Sequence, residues 1–328
     1  MDRPGALDRL RAAVTGFRAA HLPDADRWCV ALSGGPDSLA LTAAAAGLAD
    51  TVALIVDHGL QDGSAAVAEA ARAHAVDLGC VDARILRVTV AGAGGPEAAA
   101  RTARYAALRD AHAGRPVLLG HTLDDQAETV LLGLGRGSGP RSIAGMRPYV
   151  APWGRPLLGV RRRLTAAACT ELGLTPWHDP HNSDHRFTRV RLRREVLPLL
   201  EEVLGGGVAE ALARTAAAVG EDTDYLDGLA EARLRDTADP RALDSAGLGA
   251  LPAPIRRRVL RAWLLAGGAT GLTDEQIRRV DALVTAWRGQ GAVAVPSALP
   301  RQRLVAARTG GRLVLRTEPV AARPDLGR

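Results

Sequence analysis

Four short apolar runs rich in β-branched residues punctuate the first third of the chain: WCVALS (28–33), TVALIVDHG (51–59), ARILRVTV (83–90) and PVLLGH (116–121). Between them, in DSLALTAAAAGL, SAAVAEAARAHAVDLG and PEAAARTARYAALRDAHAG, polar positions recur at helical spacing. Continuous apolar strands alternating with helices bury both faces of a sheet. The pattern therefore predicts an α/β fold with a doubly wound parallel sheet, whose ligands sit at the carboxyl edge of the strands. After residue 135 the periodicity gives way to GRGSGPRSIAGMRPYVAPWGRPLLGV, which is too long for a plain connector. A helix, RRRLTAAACTELG, and a polar loop, WHDPHNSDHRFTRV, come next, and LGGGV at 204–208 reads as a hinge. Beyond it lie three helical stretches and short strands closed by a Gly-Gly hairpin. The expected division is an α/β domain over 1–205, a mainly helical domain with a small β region over 206–320, and a tail over 321–328.

With 328 residues and 47% hydrophobic content, the chain can bury a full core. No apolar run approaches the roughly 20 residues that span a bilayer, and the first residues show no signal-peptide cleavage site. A cytoplasmic protein is expected. Cys29, Cys80 and Cys169 are odd in number and far apart, which suggests neither a disulfide framework nor a zinc ribbon. The net charge is +6, and every basic residue is arginine. A chain without lysine has neither the Walker P-loop lysine nor a Schiff-base lysine for pyridoxal phosphate. A GC-rich coding sequence accounts for the bias, yet arginine also suits phosphate, being a planar five-donor fork.

The turn SGGPDS offers anion chemistry. Gly34 and Gly35 let the backbone approach a ligand, Pro36 opens a helix, and Ser33 and Ser38 add hydroxyls, so amides and a helix N-terminus converge on one point. An ordinary capped strand-to-helix turn is the plainer alternative. In GHTLDDQAET, His121 sits at a strand edge and Asp124, Asp125 and Glu128 fall in the first turns of a helix. Capping and the helix dipole explain part of that acidity; three carboxylates and a histidine at a ligand edge exceed it. HDPHNSDH places His178, His181 and His185 among acids, but Pro180 and the loop context do not set tetrahedral zinc geometry. Arginine runs at 161–163, 186–194 and 256–258 point to a polyanionic partner.

SGGPDS after an apolar strand resembles the pyrophosphate loop of the N-type ATP pyrophosphatases. Within that superfamily, DHGL (57–60), EAAARTARYAAL (97–108), GHTLDDQAETVLL (120–132), RGSGPRSIAGM (136–146), RPLL (155–158) and WHDPHNSDHRFTRVRLRREVLP (177–198) resemble the tRNA(Ile)-lysidine synthetases in order. The resemblance covers most of 28–200 and, more weakly, the C-terminal region. It implies a PP-loop catalytic domain followed by a tRNA-binding one. The implied reaction is ATP-dependent ligation of L-lysine to C2 of the wobble cytidine of an isoleucine tRNA with a CAU anticodon, giving AMP and pyrophosphate.

Residue by residue, the resemblance implies that Ser33, Gly34, Gly35, Pro36, Asp37, Ser38, Asp57 and His58 bind ATP. Asp37 would share a magnesium ion with the phosphates, and Asp125 and Glu128 would hold lysine. Asp37, Arg101, His121, Asp125 and Arg193 would serve catalysis, with Arg104 in a lesser role, and Trp177, Asp179, Asn182 and Asp184 match without a metal. Arg186, Arg189, Arg191, Arg193 and Arg194 would meet tRNA, and Gly137 and Gly139 would permit backbone contact with nucleotide or base. A second copy of the chain is left open as a partner. Three positions depart from the family pattern: Gln61 replaces an arginine, Ser142-Ile143 replaces Gly-Leu, and Val190 replaces an asparagine. Two rivals remain. A tRNA thiolase would need clustered cysteines, and an inactive tRNA-binding protein would bind nucleotide without turnover.

Overall fold

The computed structural model describes residues 4–319 except 62, 91–95, 138, 178, 180–183, 238, 240 and 300; of 96 and 97 it describes the backbone. The first elements are α1 (Ala6–His21), β1 (Arg27–Ala31), α2 (Pro36–Ala46), β2 (Asp50–Asp57), α3 (Ser64–Asp77), β3 (Asp82–Arg87), α4 (Pro96–Ala111), β4 (Val117–Leu118) and α5 (Leu123–Gly135). Then come α6 (Pro140–Ile143), β5 (Tyr149–Val150), β6 (Trp153–Gly154), α7 (Arg162–Glu171), α8 (Thr188–Arg191), a π-helical turn (Leu192–Val196) and α9 (Leu197–Val203). The chain continues through α10 (Val208–Arg235), β7 (Ala242–Asp244), α11 (Ser245–Gly249), α12 (Ala253–Ala266), α13 (Asp274–Thr285), β8 (Val293–Val295), β9 (Gln302–Thr309) and β10 (Arg312–Pro319).

Residues 1–135 and 145–216 form one compact unit. Its sheet runs β3-β2-β1-β4-β6-β5, parallel except for β5. The alternation of strand side chains explains why the apolar runs are continuous. Trp28, Val30, Ala53 and Ile55 face a core shared with α1, α2 and α7, whereas Cys29, Val52 and Leu54 face a second core with Leu108 of α4. The expected doubly wound sheet is present. The long stretch after residue 135 contains a short antiparallel pair, β5 and β6, that extends the sheet edge and has no periodic signal at two residues per strand.

Residues 136–144 and 217–328 form the second unit. Its sheet, β7-β10-β9-β8, is antiparallel and packs with α12 and α13 around Trp263, Leu260 and Val280. The hairpin between β9 and β10 turns at Gly310 and Gly311, both at positive φ as a tight two-residue turn requires. The division differs from the expected boundary at 205/206 in two ways. It falls inside α10, and it assigns the loop at 136–144 to the second unit, where Arg141 pairs with Asp227 at 2.5 Å. The expected tail, 321–328, lies outside the described residues.

The arginine run 256–258 is not a free basic surface. Arg256 is buried against Asp281 at 2.5 Å, Arg257 reaches the same carboxylate at 3.0 Å, and Arg258 lies 2.9 Å from Asp227. Helix α12 turns these residues toward acids distant in sequence, which the run alone does not reveal.

Candidate active site

The carboxyl ends of β1, β2 and β4 open into a cavity of about 660 Å³ within the first unit. Its floor is the SGGPDS turn. Gly34 adopts φ +81°, and Pro36 begins α2 after an extended Gly35. The Ser38 hydroxyl donates to the Gly35 carbonyl at 2.9 Å, accepts from the Ser33 amide at 3.2 Å and lies 3.2 Å from the Ser33 hydroxyl, so Ser38 shapes the turn. The Trp177 amide donates to the Gly34 carbonyl at 3.0 Å, tying the later polar loop across the turn. At the end of β4, Gly120 passes so close to α2 that a Cβ there would lie 3.1 Å from the Asp37 carbonyl and the Ser38 amide nitrogen.

Against the turn, and including its Asp37, stands a cluster of acids and arginines. Arg162 donates to Asp37 at 3.2 Å and to Asp125 at 2.6 Å, and reaches Glu128 at 3.5 Å. Arg193 embraces the fully buried Glu128 with contacts of 2.7 and 3.2 Å. Three carboxylates thus meet two guanidiniums directly, with Arg189 at 3.9 Å from Glu128. Burial raises the Asp37 carboxyl above its ordinary value despite Arg162 and a hydrogen bond from Thr165. Burial also acts to raise Asp125, but Arg162 and the Thr122 donors outweigh it and hold that carboxyl low. The capping alternative holds in part: the Thr122 amide and hydroxyl donate to Asp125 at 2.8 and 2.7 Å. Asp124 serves a different partner, accepting from the Arg162 amide at 2.7 Å and from the Arg161 side chain at 3.2 Å.

Other expected residues are distributed unevenly. Asp57, His58, His121, Arg193 and Arg194 line the cavity. The Nδ1 atoms of His58 and His121 are buried, with no hydrogen-bond partner among the described residues. Burial pushes His121 down to about 4, so the ring is neutral near pH 7. Arg101 is exposed on α4 and donates to the Tyr105 hydroxyl at 3.3 Å. Arg186 and Arg191 are exposed and paired with Asp184 and Glu195. Gln61 donates to Asp179 at 2.9 Å, so this departure keeps a polar tie between the two loops. The histidine cluster is not assembled among the described residues: His185 pairs with Glu195, and His178 and His181, with Asn182, lie outside them.

Sequence reading missed Arg162 and Thr165. Arg162 read as one charge in a basic run, although a cation opening α7 opposes the helix dipole and so needs acidic partners. Its partners at 37, 125 and 128 are too distant in sequence to signal it.

Fold and turn together define an ATP-using PP-loop domain. A family model described as the PP-loop domain matches residues 10–200, and one described as the TilS substrate binding domain matches 243–314. The tRNA(Ile)-lysidine synthase of Mycolicibacterium paratuberculosis is 71% identical over 98% of this chain and 100% of its own length. That of Mycobacterium tuberculosis H37Rv is 68% identical with the same coverage. The chain belongs to the tRNA(Ile)-lysidine synthase family, and it is an enzyme. A solved structure of the U34-tRNA thiolase NcsA from Methanococcus maripaludis shares the fold, with a TM-score of 0.54 at 16% identity over 66% of this chain and 80% of that one. Among the described residues no three His, Cys, Asp or Glu are arranged to hold a metal ion, and burial pushes Cys80 and Cys169 up to about 11.

Proposed function

We propose that this cavity joins free L-lysine to C2 of the wobble cytidine in an isoleucine tRNA with a CAU anticodon, in the cytoplasm and at the expense of ATP. The observation that carries the reading is that a pyrophosphate-type turn and the carboxylate of Asp125 line one cavity. In the first step, O2 of the cytidine attacks the α-phosphorus of ATP, and the bond to pyrophosphate breaks. Amides of Gly34, Gly35, Asp37 and Ser38, at the α2 N-terminus, receive the departing charge. In the second step the lysine ε-amine attacks C2, and the C2–O bond breaks to release AMP. Asp125, which lines the cavity, orients the amine, with Glu128 buried behind it holding Arg162 and Arg193 in place, and the lost proton passes to Asp125 or to AMP.

Magnesium fits Asp37. Its carboxylate lines the cavity beside the turn, where it accepts from Arg162 and Thr165, and would share the ion with substrate phosphates, the kind of oxygen ligation magnesium takes. When bound, the ion neutralises charge developing on the phosphates.

The test is incubation with ATP, magnesium and labelled lysine on an unmodified CAU isoleucine tRNA, with a CAU methionine tRNA as control. Label is expected only on the isoleucine tRNA and is lost in Asp37→Ala and Asp125→Ala. Absence of label with folded parent protein overturns the lysine reading. Nucleotide binding without turnover would support the inactive alternative.

A further inference from the structure

Both oxygens of the Asp37 carboxylate are held by α7. Arg162 donates to Oδ2 at 3.2 Å, and the Thr165 hydroxyl donates to Oδ1. These donors stand three residues apart and so share one face of the helix. A turn further along that face, the Cys169 thiol donates to the Pro36 carbonyl at 3.4 Å, which lays α7 along the start of α2. Asp37, Arg162 and Ala166 line the cavity. Thr165 has no exposed surface and acts on the carboxylate from behind that lining.

A hydroxyl carries one proton, and this one faces two acceptors. Besides Asp37 it meets the Arg162 carbonyl at 2.7 Å. A threonine in the first turns of a helix often bonds the carbonyl three residues back and does nothing more. Here an ionised carboxylate is the stronger acceptor and draws the proton. The Arg162 carbonyl opens α7, where the next helical turn supplies it with an amide donor, so it can release the hydroxyl without being orphaned. Arg162 is a divided partner, because the same guanidinium donates to Asp125 at 2.6 Å and reaches Glu128 at 3.5 Å. Acting alone, it draws Asp37 toward that cluster. Among the described residues Thr165 bonds no carboxylate but Asp37.

We propose that Thr165 is a positioning residue for the carboxylate offered to magnesium: its hydroxyl sets Asp37 against the pull of Arg162 and keeps it at the cavity wall for the ion. The role rests on the magnesium reading given above.

The experiment uses the full chain with Thr165→Val and Thr165→Ala, which remove the hydroxyl, and Thr165→Ser, which keeps it; two hydroxyl-free proteins are made so that one that folds suffices. ATP is titrated calorimetrically in EDTA and in saturating magnesium, and the ratio of the two Kd values is the gain due to the ion. That gain is expected to shrink about fivefold or more in Thr165→Val or Thr165→Ala, the scale of one hydrogen bond. Metal-free ATP binding should stay within about twofold of the parent, and Thr165→Ser should restore the gain. A packing defect weakens ATP equally in both conditions and leaves the ratio alone. The proposal is overturned by a ratio equal to the parent's in a folded hydroxyl-free variant, or by a serine variant that loses the gain as fully as valine. A parent that gains nothing from magnesium overturns the metal reading itself, and this role with it.

Discussion

Glu128 has no exposed side-chain surface, and its charge is balanced by Arg193 and Arg162 inside the protein. Replacing it by glutamine leaves two guanidiniums short of a partner. Glu128→Gln is expected to cost about 3 kcal/mol of stability by urea unfolding, the usual scale for breaking a buried pair, and at least 100-fold in kcat/KM for lysine. His121 gives a pH signature. Its folded value near 4 lies below the ordinary 6.5. Between those values the unfolded chain takes up a proton that the native ring refuses, so the His121 contribution to stability falls as pH drops from about 6.5 to about 4. Asp37, raised by burial, runs the other way above its ordinary value. The clean measurement is therefore the difference between parent and His121→Gln, which should grow by up to about 3 kcal/mol at the neutral end of that window. SGGPDS was legible because its chemistry is local: glycines, proline and serines act within six positions. Arg162 was not, because its role exists only once β1, β4 and α7 bring residues 37, 125 and 162 together.

At the scale of elements, the end of β4 and the first turn of α2 are in contact through Gly120. Gly120→Ala would press a methyl against the backbone at Asp37 and Ser38, so ATP affinity should fall several-fold while the circular dichroism spectrum stays that of the parent. Asp124 caps α7 from α5 through the Arg162 amide. Asp124→Ala should cost about 1 kcal/mol as a lost cap and also raise KM for lysine, because Arg162 loses its anchor. Helices α2, α4 and α5 were readable from long periodic stretches. The π-helical turn at Leu192–Val196 was not, since the extra residue per turn leaves no mark in the hydrophobic pattern. It lies on the segment that delivers Arg193 to Glu128.

For the whole molecule, net charge was a partial guide. Residues 256–258 spend their charge inside the second unit, so attraction for a polyanion falls to other arginines. Asp281→Ala should destabilise the second unit by about 3 kcal/mol, since Arg256 is left buried and unpaired; calorimetry should then resolve an early transition while ATP binding persists. The α/β class was legible from strand and helix order, but the division of the chain was not, because compactness depends on contacts such as Arg141 with Asp227. Each unit borrows sequence from the other side of the glycine run: 136–144 belongs with the second, and 208–216 with the first. A single nick at 205–207 would therefore not yield two self-sufficient fragments. Each would carry a segment whose folding partner is on the other, so the pieces should reassociate when mixed and misfold when made alone, as two halves of a reciprocal exchange.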